Sequence, residues 1–498
     1  YLCPYSHEIW HGIVLAVVLI ACAAKWLNPD TEGDRIENGA RPLGRFNVDV
    51  TADLETAHDS VTSKRRKRRA PEAWLFLAGL CYGLIFLAKP ENFLAATAVV
   101  IGIFLLQQSK TAAFKSWLLF VLATLLPLVG YFLIFFAQED FSNSVRGVCW
   151  AWVPLVTTHM ASGPFFKTGM GFDVPLYHGR LMLQHFAVLA AIVGVCVWRF
   201  RASQNRIERL VLLCVLAGLA INFDWTHCGR SLPLIVLSAL AALFFRWKKE
   251  STAAREKLVV PILWFVFALF LLPKMGLFPR ISHYGVFLAM PAFLGAVYFL
   301  VYLLPQLFPH RIDAKYFRPA TLMLISIGLT RLAVHSTLFY NDKDFSVGEG
   351  GDRIVTYGPK ISPQGEGIAR AVAWLKANAP PNATVAALPE GVMINYLSHH
   401  PNPTPYIVFM SEIYAFGEEK MAVPYRASPP DYILLVHRET GEYGLDFFGK
   451  KKGYGLEMLQ WINANYETVE LIGSEPLQTS KFGIKILKRK ILTTDRHR

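Results

Sequence analysis

The sequence predicts a polytopic α-helical membrane protein of about ten spans, followed by a C-terminal extracytoplasmic α/β domain. Three observations predict it. The 498 residues are 53% hydrophobic and only 17% charged, less charged than a soluble chain of this length. The apolar residues gather into runs long enough, or nearly so, to cross a hydrocarbon core of about 30 Å. From Tyr340 onward the composition turns polar, and strand-like and helix-like stretches alternate.

The first span is Ile9–Leu27. Residues 28–72 are polar, acidic in the middle and poor in large apolar side chains, so they read as a disordered cytoplasmic loop. That loop ends in Lys64-Arg65-Arg66-Lys67-Arg68-Arg69; beside a span, such a run reads as a topology and lipid-surface anchor rather than a nucleic-acid signal. Two short apolar runs follow, Ala73–Leu87 and Phe93–Leu106, each about 22 Å long as a helix. Between them Pro90 removes a backbone N–H and breaks the helical path, which leaves Lys89 and Glu91 at the tip of a membrane hairpin. The remaining spans are Ser116–Ala137, Leu183–Trp198, Leu210–Phe223, Leu232–Phe245, Leu258–Leu272, Val286–Leu304 and Pro319–Val334. The long loop 138–182 carries Trp150, Trp152, Phe165 and Phe166, and reads as an interfacial segment or as an aromatic belt around span ends.

After the spans, Glu366–Asn378 has helical spacing (Ile368, Val372, Leu375), as does Tyr454–Asn465. Thr384–Leu388, Tyr432–Val436, Thr468–Ile472 and Phe482–Leu487 read as strands. The expected domains are therefore a transmembrane domain over 1–339 and an α/β domain over 340–498.

Charge sets the expected orientation. Loops assigned to the cytoplasm hold 23 Lys and Arg, and the short loops on the other side hold seven. By the positive-inside bias, Tyr1 and everything after His335 are extracytoplasmic. The net charge of +13 sits in these loops, so membrane lipids are the expected partner and nucleic acid is not. The seven cysteines are scattered without zinc spacing, and no metal site is expected. The chain opens on Tyr1 rather than Met, and an N-terminal region is expected to be missing.

Ionisable groups at membrane depth are functional candidates, and here they fall on one face. His7, Glu8 and His11 precede the first span, and Lys89 and Glu91 form the hairpin tip. Asp224, His227 and Arg230 share a tight loop; Lys274, Arg280, His283 and Tyr284 share another. Such a cationic set suits a phosphate or pyrophosphate head, with Lys89, Arg230, Arg280, His283 and Tyr284 as the binding candidates. A carboxylate beside it (Glu8, Glu91 or Asp224) would serve as general base for an attacking hydroxyl. The competing reading is that these are loop residues snorkelling at wet span ends.

Gly79-x3-Gly83 followed by Ala88-Lys89 resembles the hairpin of GT-C-fold polyprenyl-phosphate-sugar glycosyltransferases. That superfamily includes protein O-mannosyltransferases and the aminoarabinose transferase of lipid A. Arg280 through Tyr284 and on to Pro291 resembles its Arg-Tyr…Pro segment, and the run Leu388-Pro389-Glu390-Gly391…Asn395-Tyr396-Leu397…Pro401-Asn402-Pro403-Thr404 is similar to that of bacterial members. The resemblance implies an inverting transfer of sugar from a polyprenyl-phosphate donor to a glycan, lipid or protein acceptor outside the bacterial inner (plasma) membrane. It places Lys89, Arg280 and Tyr284 on the donor-phosphate side, and implies no cofactor while leaving room for a divalent cation. In the family the catalytic Asp/Glu follows an earlier span; none precedes Tyr1, so the chain is expected to be a fragment lacking that carboxylate. Two alternatives are a transporter or flippase for a lipid-linked anion, and a non-catalytic assembly protein. Transporters favour internal repeats and midplane charges, and the sequence has neither.

Overall fold

The computed structural model describes residues 7–27, 55–106, 113–157, 163–199, 205–223, 225–280, 285–410 and 412–490. The chain divides into two compact units: residues 1–153 with 170–329, and residues 154–169 with 330–498. The division differs from the expected cut at 339/340. It falls inside one long helix and gives part of the 138–182 loop to the second unit.

Among the described residues ten long helices dominate the first unit: α1 His7–Leu27, α2 Glu55–Ala88, α3 Pro90–Leu106, α4 Ala113–Phe136 and α5 Pro175–Arg199, then α6 Arg206–Asn222, α7 Leu232–Lys249, α8 Thr252–Leu271, α9 Gly285–Tyr298 and α10 Ala314–Asn341. Among the described residues seven stretches are long and apolar enough to cross a membrane, and three shorter apolar helices, 72–88, 90–106 and 210–222, accompany them. These correspond to the ten apolar runs of the sequence. Residues 55–72, expected in a disordered loop, instead form the first half of α2. Ala, Glu, Lys and Arg are good helix formers, so the basic run has the propensity for helix, and α2 continues through Pro71 between it and the apolar half. Residues 28–54 of that loop lie outside the described residues.

The unit has two apolar cores. The larger joins α1, α2, α3, α7, α8 and α9 around Leu19, Ile85, Val99, Val236 and Phe265. The smaller joins α5, α6 and α10 around Cys196, Leu216 and Phe317. Much of α4, α5 and α10 remains exposed and apolar, as expected of surfaces that meet lipid tails rather than water.

In the second unit four strands form one sheet in the order β3-β4-β6-β5: β3 Val385–Leu388, β4 Tyr432–Val436, β5 Tyr466–Gly473 and β6 Gly483–Arg489. β3 and β4 run parallel, while β6 is antiparallel to both its neighbours. A separate hairpin pairs β1 Phe345–Val347 with β2 Ile354–Thr356. Successive residues of β3 and β4 point to opposite faces and all are buried, so both faces need a helical cover. α11 Gln364–Asn378 covers one face through Ala371, Val372 and Leu375. α13 Glu418–Ala427 and α14 Leu456–Asn465 cover the other through Met421, Tyr425, Met458 and Ile462. The 388–404 run has a structural task here. Asn395, on α12 Val392–Ser398, donates Nδ2 to the carbonyls of Val385 (2.7 Å) and His400 (3.0 Å), fastening the start of β3.

His437 follows β4 and is buried. Its Nδ1 accepts the Leu477 N–H at 3.4 Å, and Nε2 has no partner. Burial lowers its pKa from the ordinary value, with Glu439 opposing the shift, so the fold holds a neutral imidazole. The unfolded chain binds the proton more readily, so this contribution is complete above about pH 6.5 and is lost as pH falls below it. Residues 340–498 expressed alone are expected to be soluble and to melt cooperatively. Their melting temperature should drop between about pH 7 and pH 5. His437→Asn, which keeps an acceptor near Leu477, should flatten that slope; an unchanged slope would assign the acid sensitivity elsewhere.

Candidate functional site

The α2–α3 hairpin is a true fold-back. The Lys89 N–H donates to Ile85 C=O (3.3 Å) and the Phe93 N–H to Lys89 C=O (3.1 Å), so helical bonding reaches the tip from both sides. Across the arms the hydroxyls of Tyr82 and Thr97, 15 residues apart, share a 2.7 Å hydrogen bond. In one straight helix they would stand about 22 Å apart. Trp152 stacks on Phe86 at 5.2 Å, meets Phe93 edge-on at 5.5 Å and donates Nε1 to the Phe86 carbonyl at 3.4 Å. The aromatic residues of the 138–182 loop have separate partners. Trp152 wedges the hairpin tip, while Phe165 stacks at 4.8 Å on Tyr443 within the second unit.

Polar contacts extend from this tip. Asn92 is fully buried and donates Nδ2 to the Ile9 carbonyl at 3.0 Å, fastening the tip to α1. Glu91 pairs with Lys274 at 3.3 Å. Lys274 begins the 272–280 segment between α8 and α9, whose Leu277 N–H donates to Met170 C=O at 2.8 Å. One segment thus links the hairpin tip to residues 170–178.

The centre of the second cluster is the ring of Phe278. The guanidinium carbon of Arg230 lies 4.4 Å from its centroid, that of Arg280 5.1 Å, and the His178 ring 5.2 Å. Arg230 is only 5% exposed, yet its Nε has no hydrogen-bond partner. Its Nη1 lies 3.3 Å from His178 Nδ1, and His178 Nε2 lies 3.5 Å from Asp173 Oδ1. Burial pulls the Arg280 guanidinium below its ordinary pKa, but a guanidinium remains a cation at any physiological pH. Gly171 closes the cluster with φ +72°, a conformation L side chains rarely adopt. A Cβ there would stand 3.0 Å from His178 Cγ and 3.2 Å from Phe278 Cβ.

An apolar cavity of about 210 Å³ lies where the two cores of the unit meet, lined by α5, α6, α7, α9 and α10. It is larger than the roughly 150 Å³ at which an apolar cavity stays dry and takes a small hydrocarbon. Its few polar contributions include His185, Cys228 and Ser231, and the last two flank Arg230 in sequence. A π-helical turn, Phe299–Leu303, continues α9 and sets Leu300 into the wall. Such one-residue insertions are frequent at functional sites.

Of the residues the sequence singled out, Arg230 and Arg280 come together on one ring. Lys89 holds the hairpin tip, half-buried, two residues from the Glu91 that reaches the Arg280 segment through Lys274. Glu8 lies in the first turn of α1, with its side chain outside the described residues. Asp224, His283 and Tyr284 lie outside them altogether. Asp173, His178 and Phe278 are additions from the structure. A signal for His178 was present: Asp173-Val174-Pro175 puts Pro at the first position of a helix. Read that way, the span begins at Pro175 rather than Leu183 and carries His178 in its first turn.

Among the described residues no three His, Cys, Asp or Glu side chains gather as a metal-binding group. No protein-family model, curated protein or solved structure matches this chain.

Proposed function

We propose that this chain is a GT-C-type membrane glycosyltransferase that moves a sugar from a polyprenyl-phosphate donor to a glycan, lipid or protein acceptor on the extracytoplasmic side of a bacterial inner membrane. The observations that carry the reading are an apolar cavity whose wall includes Ser231, the residue after Arg230, and the buried Arg230 guanidinium whose Nε is unpaired. An amphiphile with a long hydrocarbon and a phosphate head meets both demands at once: its chain fills a dry slot, and its head satisfies Arg230 and Arg280.

In the transfer, an acceptor hydroxyl attacks the anomeric carbon, the carbon–oxygen bond to phosphate breaks, and the polyprenyl phosphate leaves with the electron pair. Charge grows on the departing phosphate, where fixed guanidinium donors act most strongly. The acceptor proton goes to a carboxylate. Glu91 is held by Lys274 in this structure, and Glu8 and Asp224 are the other candidates in the chain.

A donor-binding titration on the full chain in nanodiscs tests this. Lys89→Met removes only the charge, and Arg280→Lys replaces a fork by a point charge; each should weaken donor binding roughly ten- to hundred-fold, from about 1.5–3 kcal/mol per lost contact. Parental affinity in both variants would return these residues to the role of interfacial anchors. Release of free polyprenyl phosphate in detergent solution, where transport has no meaning, separates a transferase from a flippase.

A further inference from the structure

We propose that Asp173 and His178 are positioning residues that aim the buried guanidinium of Arg230 at an anionic phosphate group. The inference rests on the donor-phosphate reading above and adds to it two residues that neither composition nor motif had singled out.

The argument begins with donors and acceptors. Arg230 Nη1 and His178 Nδ1 are 3.3 Å apart. A guanidinium can only donate, so Nδ1 must present its lone pair. A neutral imidazole then carries its proton on Nε2, and that nitrogen faces Asp173 Oδ1 at 3.5 Å. Each link therefore has one polarity: Nδ1 accepts from the guanidinium, and the Nε2–H faces the carboxylate 3.5 Å away. The carboxylate favours the tautomer that Arg230 needs.

The relay also decides which edge of Arg230 is free. Nη1 is held by His178, and the plane of the group is set by Phe278, whose centroid lies 4.4 Å from Cζ. The Nε edge is buried without a partner. An unpaired donor on a buried cation is costly unless a ligand satisfies it, and an Arg edge matches two phosphate oxygens. Arg280 reaches the same ring at 5.1 Å. A phosphate at the Nε edge of Arg230 would have this second cation in its neighbourhood. Among the described residues neither pairs with a carboxylate. Asp173 reaches Arg230 only through the imidazole, so it orients the cation without neutralising it.

The test uses the full chain in nanodiscs with two probes, inorganic pyrophosphate and a short-chain polyprenyl phosphate. His178→Leu removes the acceptor and should weaken both probes roughly tenfold, the equivalent of one charge-assisted hydrogen bond. His178→Asn restores an acceptor at the Nδ1 position and should recover most of the loss, which a role in packing alone would not predict. In an Arg230→Met background, His178→Leu should add nothing further, because the relay then has nothing to aim. The two readings fail differently. If both probes bind and His178→Leu equals the parent, the relay is wrong and the donor site stands. If pyrophosphate binds in a His178-dependent way but polyprenyl phosphate binds no tighter, the relay stands and the lipid donor is wrong. If the parent binds neither probe, both fall.

Discussion

Gly83→Val is expected to cost the membrane bundle about 3 kcal/mol or more, at or beyond the upper end of overpacking penalties. Gly79 and Gly83 lie one turn apart on α2 and face the backbone of α4. A Cβ at Gly83 would overlap the Thr124 carbonyl oxygen and stand 2.6 Å from Pro127 Cγ; one at Gly79 would stand 2.6 Å from the Phe120 carbonyl oxygen. The two helices touch backbone to backbone, the arrangement that small residues permit where no hydrophobic effect drives helices together. Valine would push α4 outward and loosen the hairpin that presents Lys89. The measurement is the melting temperature of purified protein in detergent, with Gly83→Ala intermediate. Gly130→Ala is the internal control: it lies on α4 with nothing within 4 Å of a new Cβ, and it should melt as the parent or slightly higher. A Gly83→Val protein that melts with the parent would show that the helix contact is not the reason for the glycine.

Arg230→Met should raise the dissociation constant for a polyprenyl phosphate by roughly a hundred-fold, since a buried charged contact contributes about 3 kcal/mol. The same substitution should leave the ligand-free protein as stable as the parent, or more so. In the free state the guanidinium is 5% exposed, with an imidazole and an aromatic ring as its contacts and Nε unpaired. Desolvation of such a cation opposes folding, and a flexible apolar side chain of similar length removes that cost. Binding and stability should therefore move in opposite directions, as for a residue kept for function. A variant that loses both together would make Arg230 a structural brace.

Several features were legible in the sequence because they depend on local pattern. The apolar runs located the ten apolar helices found among the described residues, since composition over a span-length window is what the bilayer selects. The break at Pro90 located the hairpin tip because the missing N–H there coincides with the polar Lys89 and Glu91; Pro127, Pro261, Pro291 and Pro319, set in apolar sequence, lie inside continuous helices. In the second unit β3, β4, β5 and β6 fall within a few residues of their expected places; β3 and β4 are short continuous apolar runs, the pattern of strands buried on both faces.

The sequence alone erred where ends and partners are set at a distance. Helix α2 extends back through residues 55–72, because the Lys, Arg, Glu and Ala that make this stretch polar are also good helix formers. Trp152 and Phe165 belong to one loop by sequence, but one packs on Phe86 and the other on Tyr443. Sequence reasoning could place Arg230 and Arg280 on one face, but not on one ring. Their convergence on Phe278, and the line from Asp173 through His178 to Arg230, join side chains from α5, the turn before α7 and the 272–280 segment. Periodicity reports which face of a helix is buried. Which buried faces meet, and which polar atoms are left unpaired where they do, is decided only when the helices pack.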